Sequence, residues 1–216
     1  MLFVPCARAQ LGVSLSLQSE ARFRGQGVSD GRPVAGAELV YDLPGGFYVG
    51  GSASAVASRH DGPKPHAFRE YLGLTRPVRK DVMLDIGVVH SGYTRYSGFE
   101  GSYTEAYVGL VGRRLSTHVF LSPGYFHKDV ETIYVEVDGN VSLTRDWLVF
   151  GHTGVLAPLG GGPQEVTADW RVGVRRRVGR VDITAAWAGN AQAERSYSGR
   201  DQSGDSALVF GITVGL

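Results

Sequence analysis

Ala207-Leu208-Val209-Phe210-Gly211-Ile212-Thr213-Val214-Gly215-Leu216 alternates without a break. Successive side chains of an extended chain point to opposite sides. Leu208, Phe210, Ile212, Val214 and Leu216 therefore share one bulky apolar face. Ala207, Val209, Gly211, Thr213 and Gly215 share a small one. A period of two held this long predicts a strand and excludes a helix.

The opposite end of the chain has the same period. Val13, Leu15, Leu17, Ala21 and Phe23 fall on one face, and Ser14, Ser16, Gln18, Glu20, Arg22 and Arg24 on the other, which predicts one strand running as far as Arg24. Between the two ends, turn signals recur every ~8–15 residues. They bound ten further strands, at 33–42, 46–57, 67–77, 82–93, 102–112, 117–126, 131–143, 147–156, 164–175 and 181–190. In 67–77 the face is ambiguous because Glu70 would point outward, and in 147–156 the pattern does not choose a face.

The connections fall into two alternating classes. Leu43–Gly46, Val78–Asp81, Arg113–Ser116, Thr144–Asp146 and Arg176–Arg180 are short. Gly25–Arg32, Ser58–His66, Thr94–Gly101, Ala157–Pro163 and Ala191–Gly204 are longer and rich in Gly and charge, with the short His127–Val130 in the same phase. Strict alternation, an even strand count and apolar–polar faces are the pattern of an all-β, up-and-down antiparallel transmembrane barrel of about twelve strands, with short periplasmic turns and longer outer loops. Aromatics near strand ends fit interfacial girdles: Tyr41, Phe47 and Trp147 beside short turns, and Tyr93, Tyr96, Phe99 and Tyr103 beside a long loop.

Composition bounds the partners. The chain has 216 residues, with 22 Lys+Arg against 21 Asp+Glu, a balance that argues against general nucleic-acid binding. Its 31 glycines suit tight turns and disfavour long helices. No run of about 18 apolar residues offers a membrane helix, and a barrel needs none. Met1–Pro5 is apolar and Ala7-Arg8-Ala9 has the small-x-small spacing of an export-signal cleavage site. Residues 1–9 are thus read as the remnant of a cleavable signal, and 10–216 as an outer-membrane barrel domain of a Gram-negative bacterium. Cys6, the only cysteine, would leave with the signal, so disulfides are no part of the fold.

With the apolar faces in lipid, the other faces line a lumen. That set is Glu20, Arg22, Arg24, Glu38, Arg69, Tyr71, Asp85, Tyr103, Glu105, Tyr107, Tyr134, Glu136, Asp169, Arg171, Arg175 and Asp182. Leu208, Phe210, Ile212, Val214 and Leu216 resemble the C-terminal signal read by the bacterial barrel-assembly machinery. Expected partners are outer-membrane lipid, that machinery and small solutes; no cofactor is expected.

Phe23-Arg24-Gly25-Gln26-Gly27-Val28-Ser29-Asp30-Gly31-Arg32-Pro33 resembles the FRG-x-S-x-S-x-x-x-P hallmark of the TorF family of porin-like proteins, also catalogued as a bacterial family of unknown function, Gcw_chp. Gly46-Phe47-Tyr48-Val49-Gly50, Glu70-Tyr71-Leu72-Gly73, Asp85-Ile86-Gly87 with Tyr93, Tyr103 to Gly109, Tyr134-Val135-Glu136 and Asp169 to Gly173 follow in family order. The chain departs in the spacing after Arg24-Gly25, in small residues after Tyr48-Val49-Gly50 and in its terminal Leu216. The resemblance implies an outer-membrane barrel and no established substrate.

Other motifs read plainly. Gly27-Val28-Ser29-Asp30-Gly31 has the G-x-S-x-G spacing, but Pro33 and a strand follow it where a hydrolase needs a helix. His60 and His66 share a predicted loop with only Asp61 near, too few donors for a metal. Gly160-Gly161-Gly162-Pro163 lacks the Lys-Ser/Thr of a phosphate loop. Arg175-Arg176-Arg177 reads as a solvated turn. His90 and Ser91, adjacent on a strand, point to opposite faces and cannot pair as base and nucleophile.

The expected function is passive diffusion of small solutes through a mixed-charge lumen, with no enzymatic activity. The alternatives are a lipid-modifying outer-membrane enzyme and a non-conducting structural or surface-binding barrel. Glu20, Arg22 and Arg24 would form a ladder rising to the outer mouth, with Glu105 and Asp169 able to face it. Pairing across the lumen would narrow it; hydrated opposite walls would leave a transverse field. The Tyr, Gly and Ser among the lumen residues favour a narrow hydrated pore.

Overall fold

A computed structural model describes residues 10–58, 62–98, 100–126, 130–160, 166–191 and 206–216. The expected signal remnant, His60 and most of the Gly-rich tip at 160–163 lie outside the described residues. Twelve strands close a barrel: β1 (Gln10–Gln18), β4 (Val34–Asp42), β5 (Phe47–Val56), β6 (Lys64–Arg79), β7 (Val82–Tyr93), β8 (Gly101–Gly112), β9 (Leu115–Ser122), β10 (Thr132–Ser142), β11 (Trp147–Pro158), β12 (Thr167–Val178), β13 (Val181–Asn190) and β14 (Ser206–Gly215). A two-residue hairpin, β2 (Arg22–Phe23) and β3 (Gln26–Gly27), stands apart from the barrel sheet. Each barrel strand pairs antiparallel with its chain neighbour, and β14 closes on β1 with Leu15 opposite Val214 and Leu17 opposite Ile212.

The outer wall is apolar. Leu15, Leu39, Leu72, Val108, Trp187 and Phe210 are each at least 45% exposed, on strands whose neighbours at i±1 turn inward. So many large apolar side chains on a continuous surface demand a hydrocarbon solvent. Leu208, Phe210, Ile212 and Leu216 belong to this surface. Tyr41, Phe47 and Trp147 sit on it at the short-turn rim, with Arg176 stacked 5.4 Å from the Trp147 ring. At the other rim Trp170 and Trp187 meet edge to face at 4.9 Å.

The structure corrects several boundaries. β1 stops at Gln18, so Glu20, Arg22 and Arg24 are not a ladder on its inner face. Arg24 (φ 46°) and Gly25 (φ 75°) reverse the chain instead, and a Cβ at position 25 would lie 2.3 Å from the Gly189 carbonyl. β12 runs to Val178, which puts Arg175–Arg177 on a strand; Arg177 donates to Asp182 on β13 at 2.8 and 3.0 Å, and the turn is Gly179-Arg180. Tyr93 and Tyr103 turn inward and are no girdle: both stack on Phe23, at 5.2 and 6.1 Å. Glu70 does point outward, opposite His90. On β11 the inward face is Leu148, Phe150, His152, Gly154 and Leu156, since Val155 is exposed to the outside and Leu156 is buried.

His66 is the remaining correction. It lies on β6, not in a solvated loop, at a break in register with β5 between Ser54 and Ala55. An extra residue in one strand re-aims its side chains. His66 is thereby 3% exposed, inside the barrel.

Candidate functional site: the barrel lumen

Residues 19–33 join β1 to β4 at the long-loop end, and they fold into the barrel. The hairpin is built locally. Ser29 Oγ accepts from the Ala21 amide at 2.9 Å and donates to the Arg32 carbonyl at 2.8 Å, while Asp30 (φ 52°) and Gly31 (φ 64°) make a second reversal. Ser29, 1% exposed and committed to these bonds, holds the loop and is no nucleophile. His66 Nε2 donates to the Val28 carbonyl at 2.8 Å and ties the loop to β6.

Arg24 anchors the tip. It donates to Glu105 on β8 at 2.7 Å, and the two side chains are 9% and 2% exposed. The flat guanidinium lies 3.9 Å from the Tyr134 ring centre and 5.1 Å from those of Tyr125 and Phe23. Those π faces surround Nη1, which has no hydrogen-bond partner. Phe23, Tyr93, Tyr103, Tyr125 and Phe126 form one aromatic cluster beside it. Arg22 pairs with Glu20 and donates to the Gly25 carbonyl at 2.9 Å. The expected ladder is thus an infolded, latched hairpin across the outer half of the lumen.

Deeper in the lumen, one side of the wall carries a polar network. Tyr48 contacts Tyr107 and donates to Asp85 at 2.7 Å; His118 Nε2 stands 3.2 Å from Asp85 and its Nδ1 3.7 Å from Glu136. His152 lies between Asp138 (2.9 Å) and Asp169 (3.0 Å), and Tyr134 donates to Asp169 at 3.0 Å. Tyr71 donates to Glu38 at 2.9 Å. Glu136, Asp138 and His152 bring three metal-donor atoms within 4.8 Å of one another. Both nitrogens of His152 already face carboxylates, so the arrangement is complete as a hydrogen-bonded network.

Sequence reasoning missed the signal that builds this wall. Tyr48-x-Gly50 on β5 and Tyr71-x-Gly73 on β6 pair reciprocally, Tyr48 opposite Gly73 and Gly50 opposite Tyr71. Each ring lies over the facing glycine: a Cβ at Gly73 would come within 2.4 Å of the Tyr48 ring, and one at Gly50 within 2.5 Å of Tyr71. Tyr107 covers Gly87 and His118 covers Gly109 in the same way. The repeated aromatic-x-Gly spacing could have been read as rings lying along the wall.

The expected lumen residues therefore separate. Glu38, Tyr71, Asp85, Tyr107, Glu136 and Asp169 join the network; Tyr103 and Glu105 hold the hairpin; Glu20, Arg22 and Arg24 are the hairpin. Arg69 and Arg171 face the cavity. On the outer surface, His90 Nδ1 lies 2.9 Å from Thr104 Oγ1, while Ser91 is buried inside. The barrel wall separates the two, as alternation requires.

The opposite arc is small-sided. Ser14, Ser16, Gly36, Ser52, Thr184, Gly211 and Thr213 take its inward positions on β13, β14, β1, β4 and β5. A cavity of about 680 Å³ runs from Thr184, Val209, Gly211 and Thr213 to Phe150, Arg171 and Arg175. A second, of about 230 Å³, lies beneath the hairpin, between Arg69, Glu105, Tyr134, Glu136 and Arg171.

The barrel is similar to solved outer-membrane structures. NanC porin superimposes with a TM-score of 0.61 at 10% identity, over 96% of this chain and 100% of that one. KdgM porin gives 0.57 at 7%, over 94% and 98%. An outer membrane channel of Pseudomonas putida F1 gives 0.50 at 9%, over 98% and 96%. At these identities the likeness is one of fold. No curated protein sequence matches the chain. The profile of a bacterial family of unknown function, Gcw_chp, matches residues 5–215. With an apolar outer wall, a closed antiparallel barrel and that match over nearly its whole length, the chain belongs to the Gcw_chp family and is an outer-membrane β-barrel of it.

Proposed function

We propose that this barrel is a porin-like channel of the TorF type, passing small solutes by diffusion along the small-sided arc of its lumen. The observation that carries this reading is the cavity of about 680 Å³ bounded by Thr184, Gly211 and Thr213 on one side and by Arg171 and Arg175 on the other. A plugged barrel would fill those positions with large side chains. On β13 and β14 they are Thr184, Ala186, Ala188, Val209, Gly211 and Thr213, and Tyr48, Tyr71 and Tyr134 are drawn against the far wall by their own hydrogen bonds. The names of NanC and KdgM as porins agree with it.

Selectivity comes from radius and wall charge. The infolded hairpin sets the radius of the outer half. The experiment is conductance of the refolded protein in a planar bilayer. Small, resolved single-channel steps are expected. Folded, inserted protein that passes no current would overturn the channel and leave a structural or surface-binding barrel.

A further inference from the structure

The charged groups of the lumen are unequally engaged. Glu105 accepts from Arg24, Asp138 and Asp169 face the two nitrogens of His152, and Asp85 and Glu136 face those of His118. Glu105 is engaged by the hairpin, Asp85, Asp138 and Asp169 by histidines of the wall, and Glu136 lies within ion-pair distance of His118. Arg69 and Arg171 differ. Among the described residues neither has an ion-pair or hydrogen-bond partner, and both side chains are exposed to the lumen. The Phe150 ring lies 5.6 Å from the Arg171 guanidinium carbon, and Asp138 interacts with Arg171 at longer range.

Their placement is equally specific. The ring order is β1, β4, β5, β6, β7, β8, β9, β10, β11, β12, β13, β14. β6 and β12 are six strands apart in a ring of twelve, so Arg69 and Arg171 stand on opposite walls. Both line the cavity of about 230 Å³ beneath the hairpin. In register, Arg69 is flanked by Ser52 and Ser91, and Arg171 by His152 and Ala188. Glu105, Glu136 and Asp169 line the same cavity, and Asp169 shares the inner face of β12 with Arg171, but none of the three forms an ion pair with Arg69 or Arg171.

We infer that Arg69 and Arg171 form an oxyanion-binding constriction for a small carboxylate- or phosphate-bearing solute. This rests on the channel reading for its route but not for its existence. A guanidinium presents a planar fork of N–H donors that matches the two oxygens of a carboxylate or phosphate. Two such forks on facing walls suit a solute with an oxyanion at each end, or one passed from fork to fork. Neutral solutes gain nothing from these forks, and a cation meets two unpaired positive charges there. The hairpin bounds the site from the outside, so its latch also sets how a solute enters.

The test separates binding from conduction. Folded protein in detergent is titrated calorimetrically with succinate and with inorganic phosphate, beside Arg69→Gln, Arg171→Gln, the double variant and the outward-facing control Arg176→Gln. Folding of each is checked by heat-modifiable gel mobility. Wild type and Arg176→Gln are expected to bind at least one probe. Each single variant should weaken binding, and the double variant should lower affinity by about tenfold or more, as expected for loss of charge-assisted hydrogen bonds. Binding should also weaken as salt is raised. Binding of succinate alone identifies a carboxylate site, and binding of phosphate alone a phosphate site; either supports the inference. No binding of either probe by folded wild type, or full binding by the folded double variant, overturns it. Binding without bilayer current would keep the site and remove the channel; current without binding would do the reverse.

Discussion

The two arcs of the lumen wall are built on the same strand pattern and behave oppositely. From β6 to β12 the inward positions carry Tyr71, Asp85, Tyr107, His118, Phe120, Glu136 and His152, tied side to side by hydrogen bonds and ring contacts. From β13 through β14 and β1 to β5 they carry mainly Ser, Thr, Ala and Gly. Large polar side chains inside a barrel do not by themselves fill it. They fill it only if they extend toward the axis, and here they are bound to neighbours one to three strands along the ring. The network arc is tied lining, the small arc borders the larger cavity, and among the described residues the hairpin 19–33 crosses between them.

The largest effect should come from breaking the small arc where it closes. β14 is held by β13 on one side and β1 on the other, so deleting Leu208–Leu216 opens the ring and exposes two strand edges. Loss of the compact, heat-modifiable band is expected, and its persistence would show that closure does not depend on this strand. Next is the latch. Arg24→Ala leaves Glu105 buried without its cation, which costs about 3–5 kcal/mol. Arg24→Met with Glu105→Leu removes both charges and should recover most of that stability in a urea titration, while still freeing the hairpin and raising conductance. Equal stability of Arg24→Ala and wild type would mean that the hairpin is not held by this pair.

Glycines sharpen the same contrast. Gly73 on the network arc would push a Cβ into the Tyr48 ring at 2.4 Å, whereas Gly215 at the end of β14 has open space around it. Gly73→Ala should lower stability by about 1–3 kcal/mol through overpacking. Gly215→Ala should be neutral or stabilising by up to about 1 kcal/mol through a less free unfolded chain. Urea unfolding of the two variants, run side by side, checks the order.

The barrel was largely legible because its signals are local. Alternation and alternating turn lengths give twelve strands, and the inner faces of β4, β8, β10 and β12 follow from period alone. The failures share a physical cause. Period two continues past Gln18 through Glu20, Arg22 and Arg24, but Gly25 and the Asp30-Gly31 turn fold that stretch inward, and a pattern of faces carries no information on a chain that leaves the sheet. The sequence pattern places His66 in a loop because alternation starts at Ala67; β6 begins at Lys64, and the register break at His66 interrupts the period there. By period alone the charges at 20, 22 and 24 form a ladder on the lumen face of one strand. In the folded lumen Arg22 and Arg24 have carboxylate partners, whereas Arg69 and Arg171, on facing walls, have none among the described residues. Which charge pairs with which depends on contacts between residues as distant in sequence as Arg24 and Glu105.

The smallest expected change in stability carries the most direct test of where solute passes. Thr213 is a half-exposed inward residue of β14 that lines the larger cavity, paired across the ladder with Ser16 and Asp182. Thr213→Trp puts a large ring into open space, displacing no network member, so unfolding should shift by no more than about 1 kcal/mol for a substitution into unfilled volume. Conductance should fall several-fold, because the ring narrows the arc that carries small side chains among the described residues. Tyr107→Ala makes the reciprocal change: it removes a ring from the network arc, uncovers Gly87 and leaves Tyr48 with Asp85 alone, and should cost about 3 kcal/mol for loss of a packed aromatic. Its effect on current should be modest, since Tyr107 lies against the wall. A Thr213→Trp barrel that conducts as wild type, beside a Tyr107→Ala barrel with a much larger current, would place the path along the network arc and invert the comparison.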